Sequence, residues 1–191
     1  MSKLDPKKVV TGKNTRWSYV NAWEAKASTE NGIPKFSVSL IIPKDDVETV
    51  KKIKAAIKAA YEEGAAILKG TGKSVPPLSA IHSPLNDGDD KADADPAYKN
   101  SYYINAKNKY APGIVDARCE PILDQTEVYS GVYGRASVTF IAYNANGASR
   151  GITCILNNLQ KIKDGEPLGG RSRPEDDFDL EDDDEDDDFL D

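Results

Sequence analysis

Only one stretch of this chain spaces its apolar residues for a helix, and runs that alternate with period two lie on either side of it. Val50, Ile53, Ile57, Tyr61, Gly64 and Leu68 recur at helical spacing behind Asp45, which is placed to cap the helix with Glu48 as its reciprocal partner. Tyr61 belongs to the packing face, and lysines 51, 52, 54 and 58 fall on the outer face as an ordinary solvated surface. Before the helix, residues 35–42 put Phe36, Val38, Leu40 and Ile42 on one side and Lys35, Ser37 and Ser39 on the other. The Asn31-Gly32 turn signal joins this run to residues 16–27, RWSYVNAWEAKA, and predicts a hairpin with one wet face. After the helix, strand-like runs return at 102–107, 114–120, 132–143 and 150–156. Many short strands around one helix predict a mainly β fold, and the five-stranded oligonucleotide-binding (OB) barrel is the small barrel that suits them; a sandwich stays open as the alternative. Residues 7–11, KKVVT, offer a further short strand.

Two segments stand outside this pattern. Residues 70–100 are rich in Gly, Pro, Asp and Asn without sustained periodicity and read as a long irregular loop. The last 17 residues, EDDFDLEDDDEDDDFLD, contain 13 acids. Such a block cannot bury enough apolar surface to offset its ordering entropy and self-repulsion, so it is expected to be a disordered arm. The expected organisation is one OB-fold-like domain over 1–170 and a disordered acidic tail over 171–191.

Removing the tail reverses the sign of the charge. The whole chain carries −7, but all 25 Lys and Arg precede residue 175 together with 19 acids, leaving a body of +6. A polyanion tethered to a cationic surface competes with any external polyanion at an effective concentration on the order of mM. Nucleic acid is the obvious external one. Phe178, Leu180, Phe189 and Leu190 do not suit a pure solubiliser, and Phe178, Phe189 and Leu190 read as anchors for a partner's groove.

Catalytic and cofactor motifs fail on inspection. Gly70-Thr71-Gly72-Lys73-Ser74 lacks the leading glycine of a phosphate-binding loop, has Ile67 in its place, and runs into Val75-Pro76-Pro77 instead of a helix. The acids of 87–95 resemble a calcium loop, but Lys91 and Ala92 occupy the positions of a ligand and the required glycine. His82 is a lone loop histidine with no nucleophile or orienting carboxylate nearby in sequence. Cys119 and Cys154 lack metal-site spacing and read as buried, reduced thiols. No apolar run is long enough to span a bilayer, and the start has no secretory pattern. A binding protein is therefore expected rather than an enzyme, with no cofactor, metal or membrane and with an intracellular location.

Outward-facing aromatic and basic residues match a platform for single strands, on which bases stack while Lys and Arg follow the phosphates. If Ile104 and Ala106 face inward, Tyr103, Asn105, Lys107 and then Lys109 face out. Likewise Val138, Phe140 and Ala142 inside leave Tyr133, Arg135, Ser137 and Thr139 outside. In 114–120, Val115, Ala117 and Cys119 inward leave Arg118 outward. Arg16, Trp17, Tyr19 and Trp23 extend the candidate DNA-binding set, although a tryptophan on a strand serves a core as readily as a platform.

Three segments carry a family resemblance: Tyr102-Tyr103-Ile104-Asn105-Ala106-Lys107, VYSGVYGRASVTFIAYN over 128–144, and GITCILNNLQKIKDGEPLGG over 151–170, just ahead of Arg171 and Arg173. In these the chain resembles phage-encoded single-stranded DNA-binding proteins. The resemblance covers most of the chain. It implies an OB fold that coats single strands in phage replication, recombination or repair, located in the host cytoplasm, with a tail that contacts replication proteins and occupies the DNA groove. The chain departs from a strictly terminal Phe, because Leu190 and Asp191 follow Phe189. A protein that mimics DNA with its tail and an RNA-binding chaperone of the same fold are the alternatives. Oligomeric state is not legible in the sequence.

Overall fold

The computed structural model describes residues 4–147 and 149–168; the tail anchors Phe178, Phe189 and Leu190 lie outside the described residues. Three strands precede the helix: β1 (Lys8–Val10), β2 (Arg16–Lys26) and β3 (Lys35–Pro43). The KKVVT segment therefore supplies the extra strand. The helical stretch forms α1 (Val47–Glu63) and, after Gly64, the short α2 (Ala65–Lys69). Then follow β4 (Asn86–Asp87), β5 (Ser101–Asn108), β6 (Gly113–Val115), β7 (Tyr133–Ala145) and β8 (Ser149–Lys163).

The strand pairings make an OB-like barrel. Strand β3 lies antiparallel between β2 and β5, β5 meets β8 in parallel, and β8 pairs with β7 along most of its length. Strand β7 returns to β2 where Tyr133 stands opposite Arg16. That seam is short, and the backbone bonds Trp17 N to Val132 O (2.9 Å) and Gly134 N to Thr15 O (2.9 Å) extend it. Strands β1, β4 and β6 flank this ring by pairing with β7, β5 and β8. The inward residues form one apolar core that includes Val38, Leu40, Ile42, Ile104, Ala106, Val138, Phe140, Ile152 and Leu156. Helix α1 adds Val50, Ile53, Ala56, Ile57 and Ala60 from its buried face. Each large aliphatic side chain so buried contributes about 1.5–3 kcal/mol.

Several details differ from what spacing predicts. The helix cap is Asp46, whose carboxylate accepts the Thr49 N–H at 3.2 Å, while Glu48 pairs with Lys52 at 3.0 Å. Trp17 is fully buried, and its indole N–H donates to the Gly134 carbonyl at 3.2 Å, so Trp17 is core and not platform. Gly134 allows this approach, because a Cβ there would run into the Trp17 ring and the Gln160 carbonyl. Trp23 is partly buried and packs against the same core.

Strand β6 ends at Val115. Beyond it, the Asp116 carboxylate accepts the N–H groups of Arg118 (2.8 Å) and Glu120 (3.0 Å) and closes a turn. Cys119 in that turn is exposed, whereas Cys154 is buried as expected. A local carboxylate thus outcompetes the strand that apolar alternation suggests.

The 70–100 segment is folded into short turns, with 3₁₀ helices at Leu78–Ala80, Gly88–Lys91 and Pro96–Tyr98. Its Tyr98 covers the middle of the supposed wet face of the hairpin. Tyr98 is fully buried and its hydroxyl lies 2.9 Å from the Ser39 hydroxyl, and both Ser39 and Ile41 are buried. Burial pushes the Tyr98 phenol pKa up, with the Ser39 hydrogen bond opposing.

Candidate nucleic-acid interface

Directly paired residues share a face of the sheet. The pairs Tyr133 with Arg16, Arg16 with Ile41, Ile41 with Tyr103 and Tyr103 with Asn86 therefore draw one row across β7, β2, β3, β5 and β4. The next rows hold Ser18, Ser39 and Asn105, then Asn21, Ser37 and Lys107. Two rings predicted from sequence, Tyr133 and Tyr103, thus stand on one face of the sheet, with Arg16 beside Tyr133 and the buried Ile41 between Arg16 and Tyr103. Tyr19 joins by a different route. One extra residue enters β2 between Ser18 and Asn21, Tyr19 takes φ = 47°, and the residue is left 61% exposed. A bulge of this kind re-aims a side chain that strict alternation would place elsewhere.

Each ring of the row carries a cation. The Arg16 guanidinium carbon lies 5.1 Å from the Tyr133 centroid and the Lys163 ammonium 4.8 Å. Arg16 is fixed by donating from Nε to the Gly131 carbonyl (3.1 Å) and from Nη2 to the Glu166 carbonyl (2.7 Å). Lys91 sits among three tyrosines, its ammonium 4.6 Å from the Tyr98 centroid, 4.8 Å from Tyr103 and 5.5 Å from Tyr19. Tyr98 meets Tyr103 edge-on, with centroids 5.1 Å apart. Flat rings and unsaturated positive charge on one surface are the two chemistries that a single strand presents partners for, bases and phosphates.

Farther along β5, Lys107, Asn105 and Asn86 line an open groove of about 490 Å³ with Lys35, His82 and Tyr143. His82 is held there by its backbone, accepting from Ile152 N at 2.9 Å and donating to Arg150 O at 3.0 Å. An adjoining apolar hollow shares Lys35 and Lys107 and adds Lys109, Ile33 and Ile155. Lys109 is exposed, its ammonium 5.1 Å from the Tyr110 ring.

The remaining candidates are placed apart from this row. Arg135 is half-buried on β7, and its Nε donates to the Thr11 carbonyl at 3.3 Å. Arg118 is exposed on the turn after β6; that turn docks on Gln160, which stands opposite Arg135. In the acidic loop, Asp87 and Asp89 hold the Lys44 ammonium at 2.9 and 2.7 Å. The hydrogen bonds to Lys44 hold both carboxyls below the usual range, and those to Asp89 and Asp87 raise the Lys44 pKa. Lys35, His82, Lys91, Tyr143 and Lys163 are not among the interface candidates that the sequence offers. Lys91 and His82 lie where no periodicity assigns a face, and Lys163 lies beyond the run taken as the last strand.

A family model described as Enterobacter phage Enc34, ssDNA-binding protein, matches residues 7–190. The chain belongs to this family. One relative is protein p50 of Acyrthosiphon pisum secondary endosymbiont phage 1, 30% identical over 164 residues, which span 82% of this chain and 84% of that protein. Among solved structures, the Enc34 phage single-stranded DNA-binding protein in complex with ssDNA superposes with a TM-score of 0.70 at 22% identity, covering 88% of this chain and 97% of that one. The bacteriophage T7 single-stranded DNA-binding protein gp2.5 gives a TM-score of 0.60 at 14% identity, covering 86% and 91%. At these identities the superpositions establish a shared fold, which accords with the OB-like barrel.

Proposed function

We propose that this chain is a sequence-independent single-stranded DNA-binding protein of a phage, acting in DNA replication, recombination or repair in the host cytoplasm. The observation that carries the proposal is the outer row in which Tyr133, Arg16 and Tyr103 share one face of the barrel, within a family of ssDNA-binding proteins. Bases stacked on such rings contribute about 1–3 kcal/mol each, independent of sequence. Arg16, Tyr19, Tyr103, Lys107, Tyr133 and the neighbouring Lys109 form the proposed surface, Trp23 borders it, and Arg118 and Arg135 make a separate basic margin. The function is binding, with no chemical step assigned to any residue.

We read residues 1–170 as the DNA-binding domain and 171–191 as an acidic arm that competes for the same face and docks replication proteins through Phe178, Phe189 and Leu190. Support comes from where the described chain ends. Glu166 O accepts from Arg16, Leu168 N donates to Ser130 O at 2.8 Å, and Gly165 lies against the Tyr133 ring. Residues 165–168, the last that the structure describes, therefore lie beside the Arg16 and Tyr133 pair, and the family match runs on to residue 190. The test is titration of labelled single-stranded DNA, with RNA of equal length as competitor, against the full chain and a chain ending at Pro174. Tighter DNA binding by the shorter chain is expected. RNA that competes as well as DNA would favour the RNA-chaperone reading, and a body that binds neither would favour the DNA mimic.

A further inference from the structure

Two lysines meet the acidic loop, Lys44 from just past the end of β3 and Lys91 from within the loop itself, and they are treated differently. Lys44 is neutralised by Asp87 and Asp89, whereas Lys91, among the described residues, makes no ion pair and rests on the rings of Tyr19, Tyr98 and Tyr103. The backbone that carries Lys91 is anchored. Its carbonyl accepts from Ala94 N at 3.1 Å and Asp95 N at 2.8 Å, and Asp89 accepts the Asn100 N–H at 2.8 Å. Gly88 packs so closely on the carbonyls of Tyr98 and Ser101 that a Cβ has no room. What can move is the Lys91 side chain, a flexible four-carbon stem ending in a point charge.

We propose that Lys91 is a phosphate-contacting residue whose ammonium is parked on three tyrosine rings in the DNA-free protein and is handed over to the DNA backbone when a base takes its place. This rests on the outer face being the DNA-binding surface. A base stacking on Tyr103 or Tyr19 needs the surface that Lys91 covers, so the two are mutually exclusive. An ammonium on the face of a neutral ring is held more weakly than one on an anionic phosphate oxygen. The phosphate of the incoming nucleotide is the nearest new partner for the displaced charge. Parking holds the charge over the rings without tying the lysine to an acid that it would then have to leave. It also explains why the loop spends two carboxylates on Lys44 and none on Lys91.

The test compares the full chain with Lys91→Met and Lys91→Arg, using a labelled oligothymidylate of roughly 16 nucleotides, the upper site size of one OB fold. Losing one phosphate contact makes the log–log salt slope of Lys91→Met shallower by about 0.7, roughly fivefold weaker binding at 0.1 M salt, and Lys91→Arg retains both. In the free protein the Lys91 ε-methylene proton resonances are displaced upfield by the rings, and adding the oligonucleotide returns them toward ordinary values. An unaltered slope for Lys91→Met while the parent chain binds would overturn the assignment of Lys91 and leave the function intact. Tighter binding by Lys91→Met overturns it too, making Lys91 a competitor of the base. No binding by the parent chain removes both the function and the hand-over.

Discussion

Arg16 stands opposite Tyr133 where β2 meets β7, with its guanidinium carbon 5.1 Å from the centre of the Tyr133 ring. One residue thus stitches the barrel seam, holds the Gly131 and Glu166 carbonyls, and places charge on the outer face. Arg16→Met is expected to weaken single-strand binding with a salt slope shallower by about 0.7. It also lowers stability by about 1.5–3 kcal/mol through the lost charged donor bonds. Salt-dependent anisotropy and urea unfolding separate the two effects, and a variant altered in neither measurement contradicts both roles.

Tyr103 and Tyr133 are separated by three strand steps along the row, roughly 14 Å at the usual spacing. Replacing either by Ala should cost about 1–3 kcal/mol of DNA binding, and the double variant should be close to additive. Neutral results at both positions would move the path of the strand to the groove lined by Lys35, His82 and Tyr143.

Trp17 serves the interior. Trp17→Ala is expected to cost about 3–5 kcal/mol of stability. Trp17→Phe leaves the Gly134 carbonyl without its donor, at about 1–3 kcal/mol. Neither variant should change the DNA affinity of the folded fraction, which a binding titration well below the unfolding midpoint checks. A loss of affinity without a loss of stability would return Trp17 to the surface.

The Lys44 cluster gives the 86–100 loop an acid limit. The carboxyls of Asp87 and Asp89 are depressed by their hydrogen bonds to Lys44, so their contribution is present above the usual aspartate value of about 3.9 and is lost as pH falls through the lowered folded values. Lys44 stays charged throughout that window. Hydrogen exchange at the Asn100 amide, which Asp89 accepts, should lose protection on acidification, and Asp89→Asn should abolish that dependence.

The two thiols should separate cleanly. Cys119 is exposed in its turn, and Cys154 is buried, which pushes its thiol pKa far up. A maleimide should label Cys119 in the native protein and Cys154 only after unfolding. Labelling of both at equal rates would contradict the core.

Period-two alternation located the barrel because most strands bury one face, and it put Tyr103, Lys107, Tyr133 and Arg135 on the side away from the core; β3 is the exception, buried on both faces from Val38 to Ile42. Alternation failed where a side chain or an added residue overrides the period. The bulge at Tyr19 breaks the parity of β2, so Trp17 and Tyr19 part company despite their spacing. The Asp116 turn replaces the predicted strand end at Cys119 and Arg118. Lys91 was illegible for another reason. Its ring partners Tyr19 and Tyr103 come from distant strands, and only the folded 3₁₀ turns bring the loop over them.

The most direct test is a salt titration of labelled single- and double-stranded oligonucleotides against the full chain and a chain ending at Pro174. A single-strand face of stacked rings and cations predicts that both chains bind the single strand in preference to the duplex, with affinity falling as salt rises at about 0.7 log units per phosphate contact, and that the shorter chain binds more tightly. A chain ending at Pro174 that fails to bind the single strand would contradict the account.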